Sequence, residues 1–126
     1  MVARRGRATN YISGSPGSSQ TGGVRDTQLV PGVNLDWILD RYPRPAFVKI
    51  DVEGSEYKAP AGATRMLSEA KPVIFCEVAS KLAEGVTSIL RQYGYAVYDA
   101  DSGMKISANP ASAAWNTLAC PPGHSF

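Results

Sequence analysis

The chain has 126 residues, 44% of them hydrophobic and 19% charged, which suits one globular domain with a modest core. The formal net charge is +2, and the positive excess lies in residues 1–28, so the nearly neutral remainder gives no indication of a nucleic-acid partner. No apolar run reaches the roughly 18–20 residues of a membrane span, and no Cys/His spacing is typical of a metal site.

The N-terminal segment, residues 1–28, is predicted to be disordered or loop-like. It combines arginines with the run SGSPGSSQTGG, which cannot bury apolar surface. We expect the folded part to span residues 29–122, followed by a short tail, 123–126. The two cysteines, Cys76 and Cys120, lie in apolar runs and are expected to be buried free thiols, which fits a reducing, cytoplasmic location.

The first predicted elements are a short helix and a strand. Asn34 can cap the helix, and Pro43 ends it. The apolar face of this helix, at i, i+3, i+4 and i+7, is formed by Leu35, Ile38, Leu39 and Tyr42. The strand AFVKIDV, at 46–52, is apolar on both faces in its first half, a pattern typical of a central parallel strand.

Two more helices and three more strands follow. A helical pattern covers 59–70, and Pro60 must either begin this helix or kink it. The last helix has Ser80 as its candidate N-cap and Gly94 just after its end. The remaining strands are PVIFCEV at 72–78, YAVYDA at 95–100 and WNTLAC at 115–120.

This alternation of strands and helices predicts an α/β domain with parallel strands. The last two strands have no helix between them, so an antiparallel, hairpin-like pair is the economical arrangement there. Trp37 and Trp115 are interpreted as core anchors rather than as stacking platforms for a ligand.

Acidic side chains follow the predicted parallel strands, at the edge where open α/β sheets bind ligands. Asp51, Glu53 and Glu56 follow the first strand, and Glu77 ends the second. Asp99 and Asp101 end the third. Because side chains alternate along a strand, Lys49, Asp51 and Glu53 are predicted to share one face, and Gly54 then allows a sharp turn.

Three explanations of this cluster compete. Glu53 and Glu56 could complement the positive end of the following helix. The carboxylates could instead hold a divalent cation, or they could bind a polar substrate and act as a general base. Glu77 favours a functional explanation, because it ends an apolar strand without an obvious capping role and a charge there is costly without partners.

A family resemblance rests on several of these segments. FVKIDVEGSEYKAPAGA, KPVIFCEV, LRQYGYAVY and NTLACPP, preceded by VNLDWILDRY, resemble the C-terminal half of the FkbM-type methyltransferases over roughly residues 29–122. The K-I-D-V-E-G-x-E segment is fairly specific to that family, and its order relative to the later strands makes a chance match improbable. Pro60 departs from the family pattern, which has an aliphatic residue there.

The resemblance implies S-adenosylmethionine-dependent methyl transfer, usually to a hydroxyl oxygen of a small molecule, glycan, polyketide or lipid. It implies the fourth to seventh strands of a Rossmann-like methyltransferase sheet, with the last strand antiparallel and inserted between its neighbours. In that scheme Asp51, Glu53 and Glu77 are the catalytic candidates. The candidates for substrate binding are Lys49, Gly54 and Glu56.

The family's glycine-rich cofactor turn and its ribose-binding acidic residue have no counterpart in this sequence. We therefore expect the chain to be a fragment corresponding to the C-terminal half of such an enzyme. Two alternatives stay open. One is a non-catalytic remnant or interaction domain that self-associates through the bare edge of the first strand. The other is an α/β domain that binds a divalent metal.

Overall fold

A computed structural model of the chain describes residues 31–106 and 113–124. These residues form one mixed four-stranded sheet with short helices, which confirms the α/β prediction. The strands are β1 (Phe47–Ile50), β2 (Val73–Glu77), β3 (Ala96–Asp99) and β4 (Asn116–Cys120). The helices are α1 (Leu35–Leu39), α2 (Lys58–Ala61) and α3 (Ala83–Gln92), with a π-helical turn at Met66–Ala70 and a 3₁₀ turn at Ser80–Leu82. The predicted segment 1–28 lies outside the described residues, as does part of the connection before β4.

The sheet order is β1-β2-β4-β3. β1 pairs with β2 in parallel, and β4 is antiparallel to both β2 and β3, so the predicted antiparallel pairing of the last two strands is confirmed. This order makes β1, β2 and β3 run in the same direction. Their carboxyl ends therefore lie at the same edge of the sheet, the edge that carries the acidic residues.

The first helix is capped as predicted. The Asn34 side chain accepts a hydrogen bond from the Trp37 amide at 2.8 Å. The helix ends at Leu39, however, and Tyr42 lies beyond it with 60% of its surface exposed, so its placement on the apolar face was wrong. The following residue is Pro43, and a proline disfavours helical backbone in the residue before it.

The helix predicted over 59–70 consists of two pieces. Pro60 is the third residue of α2 and is buried, a first-turn position that proline tolerates. α2 stops after one turn at Gly62, and the chain resumes in the π turn. That turn ends at Lys71, which has a left-handed φ of 51° directly before Pro72.

The last helix has the predicted end but not the predicted start. Ser80 begins the 3₁₀ turn and its side chain makes no capping bond, so the capping prediction was wrong. Gly94 has a φ of 79°, as the prediction requires. The Gly94 amide donates to Arg91 and the Tyr95 amide to Leu90, which together form a Schellman-type helix end.

The core lies between the sheet and the helices. Its largest buried side chains come from the π turn, β2, α3 and β3, and include Met66, Leu67, Ile74, Val86, Leu90 and Val97. Cys76 and Cys120 are buried and unpaired, as predicted. No helix within residues 31–106 and 113–124 is long and apolar enough to cross a bilayer.

The two tryptophans are not core anchors, so that prediction was wrong. Trp37 is 38% exposed, and the Arg41 guanidinium stacks over its ring at 3.9 Å, a cation–π contact. Trp115 is 60% exposed. It has the same strand parity as the buried Thr117, but it precedes β4, where no described element covers it.

β1 is an edge strand within the described part of the chain. Only β2 pairs with it there, and Phe47 at its start is 56% exposed. An edge of this kind presents unpaired backbone donors and acceptors that another strand can use.

Candidate functional site

Lys49 joins the ends of two neighbouring strands. Its ammonium lies 3.1 Å from the Asp51 carboxylate, which follows β1, and 3.3 Å from the Glu77 carboxylate, which ends β2. The hydrogen bonds to these two carboxylates raise the pKa of Lys49, and the bond to Asp51 contributes most. The three side chains are between about a third and a half exposed, so salt screens these pairs and they order the side chains more than they stabilise the fold.

The predicted strand 46–52 was too long at this point. β1 ends at Ile50, where its pairing with Cys76 also ends, and Asp51 already lies outside the strand. Glu53 and Gly54 then have left-handed φ values of 45° and 91°. The predicted alternation of side chains therefore does not continue to Glu53, although Lys49 and Asp51 are in contact.

Glu53 is a partly buried carboxylate that has no hydrogen-bond or ion-pair partner among the residues that the structure describes. Burial raises its pKa, and the negative charges of Asp51, Glu56 and Glu77 raise it further, in that order. A raised pKa makes a carboxylate a stronger base and brings its titration closer to neutral pH. Glu53 also has a backbone conformation that residues other than glycine seldom adopt, and such strain is concentrated at functional sites.

Glu56 is the buried member of the cluster, with 4% of its surface exposed. Its Oε1 atom accepts the Gly54 amide hydrogen at 2.7 Å. Its Oε2 atom is buried and has no hydrogen-bond partner in the described structure. A buried carboxylate oxygen without a donor is costly to the folded chain.

Cys76 lies behind the carboxylates and is chemically inert. Burial raises the pKa of its thiol to about 12, and the charges of Glu56, Asp51 and Glu77 contribute. The thiol is therefore protonated at neutral pH and is not a nucleophile. The three carboxylates that act on it are members of one cluster at the ends of β1 and β2.

Asp99, the last residue of β3, and Asp101 stabilise the turn that follows this strand. The Asp99 carboxylate accepts hydrogen bonds from the Asp101 amide and the Ser102 hydroxyl, both at 2.9 Å, and these bonds lower the pKa of Asp99. Asp101 in turn accepts the side-chain amide of Asn116 at 2.9 Å. The hydrogen bonds of these two aspartates stabilise the chain as it leaves β3.

A cavity of about 330 Å³ lies beside the carboxylate segment and was not predicted. Its walls are the chain before and at the start of α1, residues 32–35, together with Val52, Ser55, Lys58 and Ala59. Val52 and Ser55 are sequence neighbours of the carboxylates, but nothing in the local pattern indicates that residues 32–35 fold over them. The cavity is mostly apolar and contains no acidic side chain.

The chain matches the family model of the methyltransferase FkbM domain over residues 2–97, more than half of its length. The chain belongs to the FkbM methyltransferase family. The match begins within the segment predicted to be loop-like and ends at Val97, inside β3. Neither the curated proteins nor the solved structures include a match to this chain.

The cavity beside Val52 in this FkbM-family chain is not by itself a complete S-adenosylmethionine site. A bound cofactor needs acceptors for its ribose hydroxyls, and the cavity beside Val52 offers no carboxylate for them. The Asn34 side-chain oxygen in its wall already accepts the Trp37 amide.

A divalent metal site has no support in the described part. No group of three or more His, Cys, Asp or Glu side chains there is placed to hold an ion. The ammonium of Lys49 instead lies between Asp51 and Glu77. The cluster thus combines one cation, two carboxylates paired with it, the buried Glu56 bonded to the Gly54 amide, and Glu53, which has no partner among the described residues. This arrangement is suited to bind a polar group and move a proton.

Proposed function

We propose that this chain supplies the acceptor side of an S-adenosylmethionine-dependent methyltransferase that methylates a hydroxyl oxygen. The observation that carries the proposal is Glu53, a partly buried carboxylate with a raised pKa and no partner in the described structure, at the carboxyl ends of parallel strands. Membership of the FkbM family supplies the reaction class.

The sheet order supports the assignment of the four strands as the fourth to seventh of a Rossmann-like methyltransferase sheet. β4 lies between β2 and β3 and is antiparallel to both, which is the arrangement expected for the seventh strand. In that assignment the carboxylate cluster follows the fourth and fifth strands. The acceptor, a small molecule, glycan, polyketide or lipid with a free hydroxyl, binds at this edge.

Each residue of the cluster has a separate task in the proposal. Glu53 accepts the proton of the acceptor hydroxyl, for which its unpaired state and raised pKa suit it. Lys49 donates a hydrogen bond to the acceptor and is held in place by Asp51 and Glu77. Positioning of the hydroxyl by these groups contributes to the rate.

The first test is calorimetric titration of the whole chain with S-adenosylmethionine. We expect saturable binding with one cofactor per chain, a result that would also show the expectation of a missing cofactor half to be wrong. Absence of binding at millimolar cofactor would refute the enzymatic proposal. The Glu84→Gln variant is a suitable control, since Glu84 is an exposed carboxylate on α3 whose charge is not among those that raise the pKa of Glu53, and its binding should equal that of the wild type.

The edge of β1 favours a second candidate function, self-association as an interaction domain. Phe47 is 56% exposed on a strand whose outer edge has no partner in the described sheet. We expect the sedimentation coefficient to rise with protein concentration, and the Phe47→Lys variant to reduce that rise. A monomer over the whole concentration range would contradict this candidate.

A further inference from the structure

The turn that carries Glu53 has an unfavourable backbone. Glu53 has a φ of 45° and Gly54 a φ of 91°, so two consecutive residues are left-handed. Glycine adopts such values freely, but a glutamate does so only when its surroundings select them. Something in the structure must therefore hold Glu53 in this conformation.

Glu56 makes the contact that selects it. Its Oε1 atom reaches back over Ser55 to the Gly54 amide, 2.7 Å away. That amide hydrogen lies in the peptide plane between Glu53 and Gly54, whose orientation follows the ψ angle of Glu53 and the φ angle of Gly54, so this hydrogen bond restrains the turn. Because Glu56 is only 4% exposed, water competes poorly for the bond, which is of the stronger, charge-assisted kind.

We propose that Glu56 is a positioning residue that fixes the Glu53–Gly54 turn and thereby places the Glu53 carboxylate for proton transfer. This inference rests on the proposed function, since that function makes Glu53 the base. In this inference Glu56 does not contact the substrate directly, because its carboxylate is too deeply buried to do so.

Two variants separate the reach of Glu56 from its charge. Glu56→Gln keeps an oxygen at the same distance but removes the charge, whereas Glu56→Asp keeps the charge but shortens the side chain. In Glu56→Gln the Gly54 amide should exchange only a few times faster than in the wild type, because a neutral hydrogen bond replaces the charge-assisted one. In Glu56→Asp the exchange should be about tenfold faster or more, the factor expected when one charge-assisted hydrogen bond is lost.

The pKa of Glu53, measured by carboxyl-carbon NMR on the free protein, gives a second readout. Burial is the first cause of its raised pKa and the Glu56 charge only a later one. If Glu56 positions Glu53, the pKa should fall in Glu56→Asp, where the turn is released, and fall less in Glu56→Gln. If Glu56 acts only through its charge, Glu56→Asp should match the wild type and Glu56→Gln should show the larger fall, which would overturn the inference.

The wild type provides a test that needs no variant. Its Gly54 amide must exchange slowly, and fast exchange there would overturn the inference even if both variants failed to fold. A Glu77→Gln control should lower the pKa of Glu53 slightly and leave Gly54 exchange unchanged. None of these readouts needs cofactor or acceptor. A chain that transfers no methyl group would refute the proposed function but would leave the role of Glu56 in the turn untouched. Conversely, a Gly54 amide that exchanges fast would refute that role without bearing on methyl transfer.

Discussion

Replacing Glu53 by glutamine should increase the free energy of unfolding at neutral pH, and the gain should disappear in acid. The pKa of Glu53 is raised in the folded chain by burial and by the neighbouring carboxylates. A carboxyl group whose pKa is higher in the folded than in the unfolded state costs stability when it is ionised, and this cost vanishes below the unfolded pKa. Glutamine has the same shape and carries no charge, so it removes the cost.

The expected gain is small because the Glu53 side chain is only partly buried, so solvent screens its charge. We estimate about 0.5 kcal/mol or less after allowing for solvent screening. For a domain of this size that corresponds to a rise in melting temperature of at most about 2–4 °C.

The measurement is thermal unfolding of the wild type and Glu53→Gln at pH 7.5 and pH 3, with Glu84→Gln as the matched exposed control. Glu84→Gln should not melt above the wild type at pH 7.5, because Glu84 lies in the first turn of α3, where a negative charge is favourable, and it should melt with the wild type at pH 3. A lower melting temperature for Glu53→Gln at pH 7.5, or a gain that persists unchanged at pH 3, would show that the Glu53 carboxylate is not destabilised by its surroundings.

Two further variants test the fold that holds the site. Asn34→Ala should lower the free energy of unfolding by about 1 kcal/mol, because the Trp37 amide loses its cap, and Asn34→Asp should restore most of it in chemical denaturation. Met66→Ala should cost about 2–5 kcal/mol, since Met66 is 1% exposed in the core. Met104→Ala, at 70% exposure, should change stability by less than about 0.5 kcal/mol in the same denaturation experiment; equal effects of the two methionine variants would contradict the packing.

The elements that could be predicted from the sequence are those with local causes. Asn34 caps its helix through a bond to a residue three positions on, and Gly94 supplies the left-handed residue that ends α3. Both depend on backbone chemistry within a few residues. The antiparallel pairing of the last two strands followed from the lack of a helix between them.

The failures have non-local causes. Trp115 has the parity of a buried residue, yet it lies past the end of the sheet, and only the lengths of the neighbouring strands determine that. The cavity beside Val52 forms because residues 32–35 fold against the carboxylate segment, a contact that no periodicity encodes.

The candidate site was predicted as a set of residues but not as an arrangement. The carboxyl-end rule identified Asp51, Glu53 and Glu77 together, and Lys49 joins two of them. Which carboxylate does what depends instead on burial and on a single hydrogen bond. The buried Glu56 accepts the Gly54 amide, and Glu53 has no partner among the described residues. A sequence that lists four carboxylates does not say which of them will be unpaired.

The central claim is that Glu53 acts as the base in methyl transfer to a hydroxyl oxygen. The direct measurement is transfer of a tritiated methyl group from S-adenosylmethionine to a panel of hydroxyl compounds, comparing the wild type with Glu53→Gln and with Glu84→Gln. We predict transfer by the wild type and Glu84→Gln, and a rate at least about 100-fold lower for Glu53→Gln, the loss expected when a general base is removed. Equal rates in the wild type and Glu53→Gln would contradict the account, as would the absence of transfer to every hydroxyl class.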